Sequence, residues 1–200
     1  MDVFATIAVD LGGVAARYTP ARRLDALVAA TGFRADEITE RVFGSGLETR
    51  LERGEIGIHD HGVQALLDAL ERRLDASALV EAWSRAFTPD AEVLSILAQQ
   101  AERVVLFTNN GPIVELCLDG PLRRIQKACD DVVCSWRLRA VKPEPAAFER
   151  FSRIVERPGD ALLLLDDSAP NVEAARTAGW AADQVANAAE LLAALNKHRP

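Results

Sequence analysis

The chain has 200 residues, enough for one domain of ordinary size, or a core with a modest insertion, around a real hydrophobic centre. With 49% hydrophobic and 26% charged residues it has the composition of a soluble globular protein, and a formal net charge of -7 argues against a nucleic-acid partner, which calls for a basic face. Three cysteines without CxxC spacing (Cys117, Cys129, Cys134) suggest neither disulfides nor zinc, no apolar run approaches the ~18 residues of a membrane span, and the amino terminus lacks a secretory pattern, so the expectation is a cytoplasmic protein with no membrane partner.

Taken in order, the chain opens with Val3, Phe4, Ala5, Ile7, Ala8 and Val9, the pattern of a strand buried on both faces in a parallel sheet. This strand delivers Asp10 to its carboxyl end, where Gly12 and Gly13 let the backbone turn sharply and approach a ligand. By itself, Asp followed by glycines is turn chemistry. Thr19 and Pro20 predict a helix start, with Thr19 as N-cap, Leu24, Leu27 and Val28 on one face and Gly32 as the stop. From there to about Phe87 only helix signals occur: Ala35 to Phe43, Gly46 to Arg53, His61 to Leu74, and Ala76 to Phe87. The expectation is an all-helical bundle of roughly seventy residues inserted after the first strand.

The character changes at Thr88-Pro89-Asp90. A helix carrying Val93, Leu94 and Leu97 leads into a second buried strand, Val104 to Phe107, ending in Thr108, Asn109, Asn110 and Gly111. Val132 to Cys134 is a weaker strand. A helix runs from Pro143 and Pro145 through Val155, and Leu162 to Leu165 forms a strand ending in Asp166 and Asp167. A helix from about Pro170 to Ala178, a short strand at Trp180 and a helix from Ala188 to Leu195 complete the pattern. Strands alternating with helices predict right-handed crossovers and a parallel sheet.

Three strands thus deliver polar groups to their carboxyl ends: Asp10, Thr108 with two asparagines, and Asp166 with Asp167; Lys142 sits in a loop between the last two. In a doubly wound sheet these ends converge on one crevice, and such a set suits a hard divalent cation and a phosphoryl group. Taken singly, Lys142 reads as a solvated loop cation and the acidic pair as helix capping. Arg17, Arg22 and Arg23 read as a solvated helix face, Trp83, Phe87 and Trp136 as core, and His59-Asp60-His61 lacks the further ligands of a metal site.

The joint order Asp10-Leu11-Gly12-Gly13-Val14, Leu106-Phe107-Thr108-Asn109, Val141-Lys142-Pro143, and Leu165-Asp166-Asp167 with Asn171 resembles the four motifs of the haloacid dehalogenase (HAD) superfamily. It is most similar to a phosphatase branch with a small helical cap, one that includes sugar-1-phosphate phosphatases; Glu52-Arg53-Gly54-Glu55-Ile56, Trp83 and Phe87 share that likeness. The resemblance implies an α/β, doubly wound, Rossmann-like core of residues 1–15 and 89–200 with an inserted helical cap of residues 16–88. It implies a Mg²⁺-dependent phosphomonoester hydrolase for a small phosphorylated metabolite such as a sugar phosphate, monomeric or dimeric. Asp10 would be the nucleophile that forms an aspartyl-phosphate. Thr108, the backbone N–H of Asn109, and Lys142 would bind the phosphoryl oxygens, and Lys142 would keep Asp10 ionised. Asp10, the carbonyl of Gly12, Asp166 and Asp167 would hold Mg²⁺. Phosphatases of this superfamily usually carry a second Asp two residues after the nucleophile, as acid for the leaving oxygen; here Gly12 stands there, as it often does in this branch. Two alternatives remain at this level: a 2-haloacid dehalogenase, although the Tyr-Gly-Thr such enzymes show after the nucleophile is absent, and a catalytically lapsed binding protein.

Overall fold

The computed structural model describes residues 6–57, 59–100 and 102–198. Strand β1 (Thr6–Val9) is buried along its length; Val3, Phe4 and Ala5 lie outside the described residues. It is the centre of a five-stranded sheet with β4 (Arg103–Thr108) and β5 (Asp131–Cys134) on one side and β6 (Leu162–Asp166) and β7 (Ala181–Gln184) on the other, all parallel. The chain winds outward from β1 to one edge, crosses back over it and winds to the other edge, so the topological switch point lies beside β1.

Alternation along the strands explains why both faces are covered. Ile7 and Val9 face one way, with Val104, Leu163 and Leu165, onto α6 (Ala91–Leu97) and α12 (Ala188–Lys197). Ala8 faces the other way with Val105 and Phe107, onto α10 (Pro145–Val155) and α11 (Ala169–Thr177), where Phe107 stacks on Phe151 at 4.4 Å and Trp180 meets Phe148 edge-on at 5.4 Å.

Between β1 and α6 the chain forms a mostly helical block. Helix α1 (Pro20–Thr31) begins with proline in its first turn and ends at Gly32 with φ +72°, whose N–H reaches the Val28 carbonyl. The expected Thr19 cap does not form: its side chain makes no cap hydrogen bond. Next come α2 (Ala35–Ile38), a π-helical turn (Thr39–Gly44), α3 (Leu47–Glu52), α4 (Val63–Ala69) and α5 (Ala76–Ser84). The helix expected to reach Phe87 stops at Ser84, because Phe87–Pro89 forms β3 and pairs antiparallel with β2 (Ala16–Tyr18). This unexpected two-stranded ribbon is zipped by Tyr18 against Phe87, ring centroids 5.2 Å apart, at the neck where the block leaves and rejoins the sheet.

Three short helices occupy stretches in which the sequence reading names no element: α7 (Ile113–Asp119), α8 (Arg123–Gln126) and α9 (Ser135–Leu138). Buried Ile113, Val114, Cys117 and Leu118 of α7 join Leu27, Leu66, Leu79 and Trp83 in one cluster, so the block and the sheet share a continuous core. Trp83 and Phe87 belong to that core, as expected.

Candidate active site

The register sets the site. Val9 is paired with Leu106 on one side and Leu165 on the other, so Asp10, Thr108 and Asp166 emerge together at the carboxyl ends of three adjacent strands. Into the space between them comes Lys142, from the loop before α10. Its Nζ donates to Asp10 Oδ1 at 2.9 Å, to the Phe107 carbonyl at 2.7 Å and to Asp166 Oδ2. The ammonium is buried, which opposes its charge, but the carboxylates of Asp10 and Asp166 outweigh that cost and hold its pKa above the ordinary lysine value. Lys142 is therefore no solvated loop cation. Burial raises the Asp10 carboxyl above its usual range, and the adjacent ammonium is the counter-charge that favours the carboxylate.

Thr108 is buried, and its Oγ1 accepts from Asn110 Nδ2 at 2.7 Å, which directs the hydroxyl proton elsewhere. The Asn109 side chain clasps the Lys142 backbone: Nδ2 donates to its carbonyl at 2.7 Å and Oδ1 accepts from its amide at 2.8 Å. Asp166 is inaccessible; Oδ2 accepts from Lys142, while Oδ1 accepts from the Ser168 amide at 2.9 Å and Asn171 Nδ2 at 3.0 Å. With both oxygens engaged by protein donors, its part in this geometry is to hold Lys142. Asp167 points differently: a Cβ on Gly13, which has φ +93°, would collide with the Asp167 carboxylate, so this acid folds down onto the glycine turn beside Asp10. A cavity of about 260 Å³ is walled by Asp10, Gly12, Thr108, Asn109 and Lys142, with Asn171, Tyr18, Phe87, Asn110 and Glu52 completing it. A larger groove, about 790 Å³, opens between α10 and α11 and contains none of these strand-end groups, which open onto the smaller cavity.

No protein-family model and no curated protein matches the chain by sequence. Solved structures do match. A predicted HAD-like family hydrolase of Porphyromonas gingivalis superposes with a TM-score of 0.74 at 20% identity, covering 98% of each chain. A HAD family enzyme of Bacteroides thetaiotaomicron, in complex with magnesium and inorganic phosphate, gives 0.71 at 18% identity, over 92% of this chain and 96% of the other. The fold is that of the haloacid dehalogenase superfamily. The L-2-haloacid dehalogenase of Xanthobacter autotrophicus shares it more loosely, with a TM-score of 0.60 at 19% identity over 92% of this chain and 78% of that one.

On this HAD fold the donor set can be tested for a cation. Among the described residues no group of three or more His, Cys, Asp or Glu side chains is gathered as a metal cluster. Two carboxylates and a main-chain carbonyl are nevertheless at hand in Asp10, Asp167 and Gly12. All are hard oxygen donors, and Mg²⁺ commonly takes one or two carboxylates and completes its shell with water and phosphate. The packing of Asp167 against Gly13 is the kind of cradle such a site needs, so the residues present fit the ion. His61 turns instead toward α7, with Nδ1 3.3 Å from the Pro112 carbonyl.

Some contributors to the site have no role assigned from the sequence, Asn110 among them. Asn171 was legible only as part of a motif, and Glu52 only as part of a likeness. Tyr18 fills the space beside Gly12: a Cβ there would lie 3.3 Å from the Tyr18 Cβ and 3.4 Å from its Cγ. Arg23, expected on a solvated face, is turned inward with 4% exposure, paired with Glu48 at 2.8 Å and laid over the rings of Phe43 and Trp83.

Proposed function

We propose that this protein is a phosphomonoester hydrolase, dependent on Mg²⁺, that acts on a small phosphorylated metabolite such as a sugar phosphate through an aspartyl-phosphate at Asp10. The observation that carries this reading is the buried Lys142 ammonium, held between Asp10 and Asp166 at the floor of a small polar cavity. The HAD neighbour in complex with magnesium and inorganic phosphate supports it.

Each group has a task. Asp10 Oδ2, the oxygen not engaged by Lys142, attacks phosphorus in line with the leaving oxygen and forms the acyl phosphate. Thr108 donates its hydroxyl proton to a phosphoryl oxygen, and the amide of Asn109 offers a second donor. Lys142 neutralises charge on the phosphoryl group while orienting Asp10, and Asp166 with Asn171 fixes Lys142. Mg²⁺, when bound, would be held by Asp10, the Gly12 carbonyl and Asp167, and would supply electrostatic stabilisation of the spreading phosphoryl charge. The helical block roofs the cavity and keeps bulk water from the acyl phosphate. Asp167 beyond the end of β6, a hard oxygen donor for the cation, favours phosphoryl transfer over halide displacement.

The test is to trap the intermediate. Acid-quenching the protein during turnover of a phosphorylated substrate, followed by peptide mass spectrometry, is expected to place a phosphoryl group on Asp10 and to find none in Asp10→Asn. A phosphoryl group on another residue, or steady turnover by Asp10→Asn, would refute the assignment.

A further inference from the structure

The phosphatase reading leaves one gap: nothing at Gly12 can protonate the leaving oxygen. Nor is that position simply open. Tyr18 from β2 occupies the space a side chain at Gly12 would enter, and Phe87 of β3 lies 3.8 Å from the same point. An acid has to reach the cavity from another element. Of the groups on the cavity wall, Glu52 at the end of α3 is the carboxyl that does not belong to the strand ends.

We propose that Glu52 is the general acid and base of this site, brought by the helical block to the cavity that Asp10 also lines, to do the work for which Gly12 has no side chain. The inference rests on the phosphatase reading and deepens it.

Geometry fixes Glu52 over the core. Its carbonyl accepts from Ser135 Oγ at 2.8 Å, and Ser135 is fully buried at the start of α9. On one side of it, Gly54 packs so tightly on the Trp136 carbonyl that a Cβ there would collide. On the other, a Cβ at Gly111 would come within 2.9 Å of the Leu51 Cβ. The segment carrying Glu52 is thus packed against α9 and the turn before α7. The side chain is left for chemistry. The two nearby guanidinium groups bind other carboxylates, Arg23 with Glu48 and Arg53 with Glu144, and among the described residues the Glu52 carboxyl forms neither a hydrogen bond nor an ion pair.

The charges facing Glu52 suit the role. Burial pushes its carboxyl up, Glu48 pushes it further, and Arg23 and Arg53 pull it back, for a value of about 7. An acid so placed is part protonated at neutral pH and exchanges its proton readily in both directions. Tyr18, the other proton donor on that side, has its phenol raised by burial above the ordinary tyrosine value, so it holds its proton too firmly to alternate between acid and base.

The step balances without a co-reactant. Asp10 attacks phosphorus, the bond from phosphorus to the leaving oxygen breaks, and the Glu52 proton moves to that oxygen to release an alcohol. The Glu52 carboxylate then takes a proton from water as the water oxygen attacks phosphorus. The acyl phosphate bond to Asp10 breaks, inorganic phosphate leaves, and Glu52 is protonated again.

The experiment compares leaving groups in Glu52→Gln and the parent, both with Mg²⁺. Nitrophenolate leaves unaided and alkoxides do not, so the variant is expected to lose on the order of 10²–10⁴ in kcat on alkyl phosphates. On nitrophenyl phosphate it is expected to retain a burst of about one equivalent of nitrophenol, within roughly tenfold of the parent rate, followed by slow turnover as the acyl phosphate waits for a base. Equal losses in burst and alkyl turnover would reduce Glu52 to a positioning residue, and no loss in either would overturn the proposal. The parent gives a second reading that needs no variant: its kcat on an alkyl phosphate should fall above a pH of about 7 while the nitrophenyl burst stays flat, and parallel profiles would overturn the proposal. A parent that releases no phosphate from any substrate refutes the phosphatase reading itself, an outcome distinct from an active parent whose Glu52→Gln variant is unimpaired.

Discussion

Asn109 holds the main chain of Lys142 at both its amide and its carbonyl, with hydrogen bonds of 2.8 and 2.7 Å that span two loops of the sheet domain. The side chain expected merely to flank a phosphate-binding amide therefore sets the position of the cation itself. Asn109→Ala removes a donor and an acceptor together, and is expected to cost about 1–3 kcal/mol in urea melts. It is expected to lower kcat on the order of 10²-fold, because an ammonium misplaced by about 1 Å no longer meets Asp10 or the phosphoryl oxygens. Unchanged kcat in a folded Asn109→Ala would show that the clasp has no catalytic consequence.

Lys142 is the counter-charge for two buried carboxylates. Lys142→Met leaves Asp10 and Asp166 without it, and is expected to destabilise the fold by about 3–5 kcal/mol and to abolish turnover. Adding Asp166→Asn removes one of the stranded charges, so the double variant should recover part of that stability and none of the activity. Additive losses in the double variant would mean that Asp166 and Lys142 do not act as a pair.

Glu52 links the site to stability through its proton. Its folded-state pKa of about 7 lies above the ordinary 4.5, so the native state holds the proton more tightly than the unfolded chain. The stability this contributes is complete below pH 4.5 and is lost as the pH rises through about 7. Glu52→Gln is neutral throughout. It should match the parent in acid and exceed it above neutrality by about 1–3 kcal/mol, the gap opening between the two pKa values. Parallel melting curves from pH 4 to 8 would contradict the raised pKa of this half-buried carboxyl.

The parts legible in the sequence were those that local physics dictates. Buried parallel strands are unbroken apolar runs, so Ile7 to Val9, Val104 to Phe107 and Leu162 to Leu165 stand out, and each names the polar residue at its end. The ribbon of β2 and β3 was hidden because three-residue strands with one buried position each carry no period. Helix α7 goes without an expected element although Ile113, Val114, Cys117 and Leu118 have helical spacing, because it is only seven residues long and follows a glycine and two asparagines. Arg23 was misplaced because its burial depends on Phe43, Trp83 and Glu48, partners brought in by tertiary packing. Glu52 reaches the cavity wall for the same kind of reason: only the folded chain brings the end of α3 to the cavity that Asp10 lines.

Gly13 is where the turn after β1 meets the acid at the end of β6. A methyl group there would strike the Asp167 carboxylate, and the residue has φ +93°. Gly13→Ala is expected to cost about 1–3 kcal/mol from backbone strain alone. By pushing Asp167 away from Asp10 it should also raise the Mg²⁺ concentration needed for half-maximal phosphate release. A folded Gly13→Ala with unchanged Mg²⁺ response would remove Asp167 from the proposed cation site.

Phosphate release from a panel of sugar phosphates, acyl phosphates, nucleotides and a nitrophenyl ester, with Mg²⁺ or with EDTA and beside Asp10→Asn, bears most directly on the central proposal. Turnover that requires both Mg²⁺ and Asp10 is the predicted result. Folded protein that releases no phosphate from any member of the panel, or turnover that persists in EDTA or in Asp10→Asn, would contradict it.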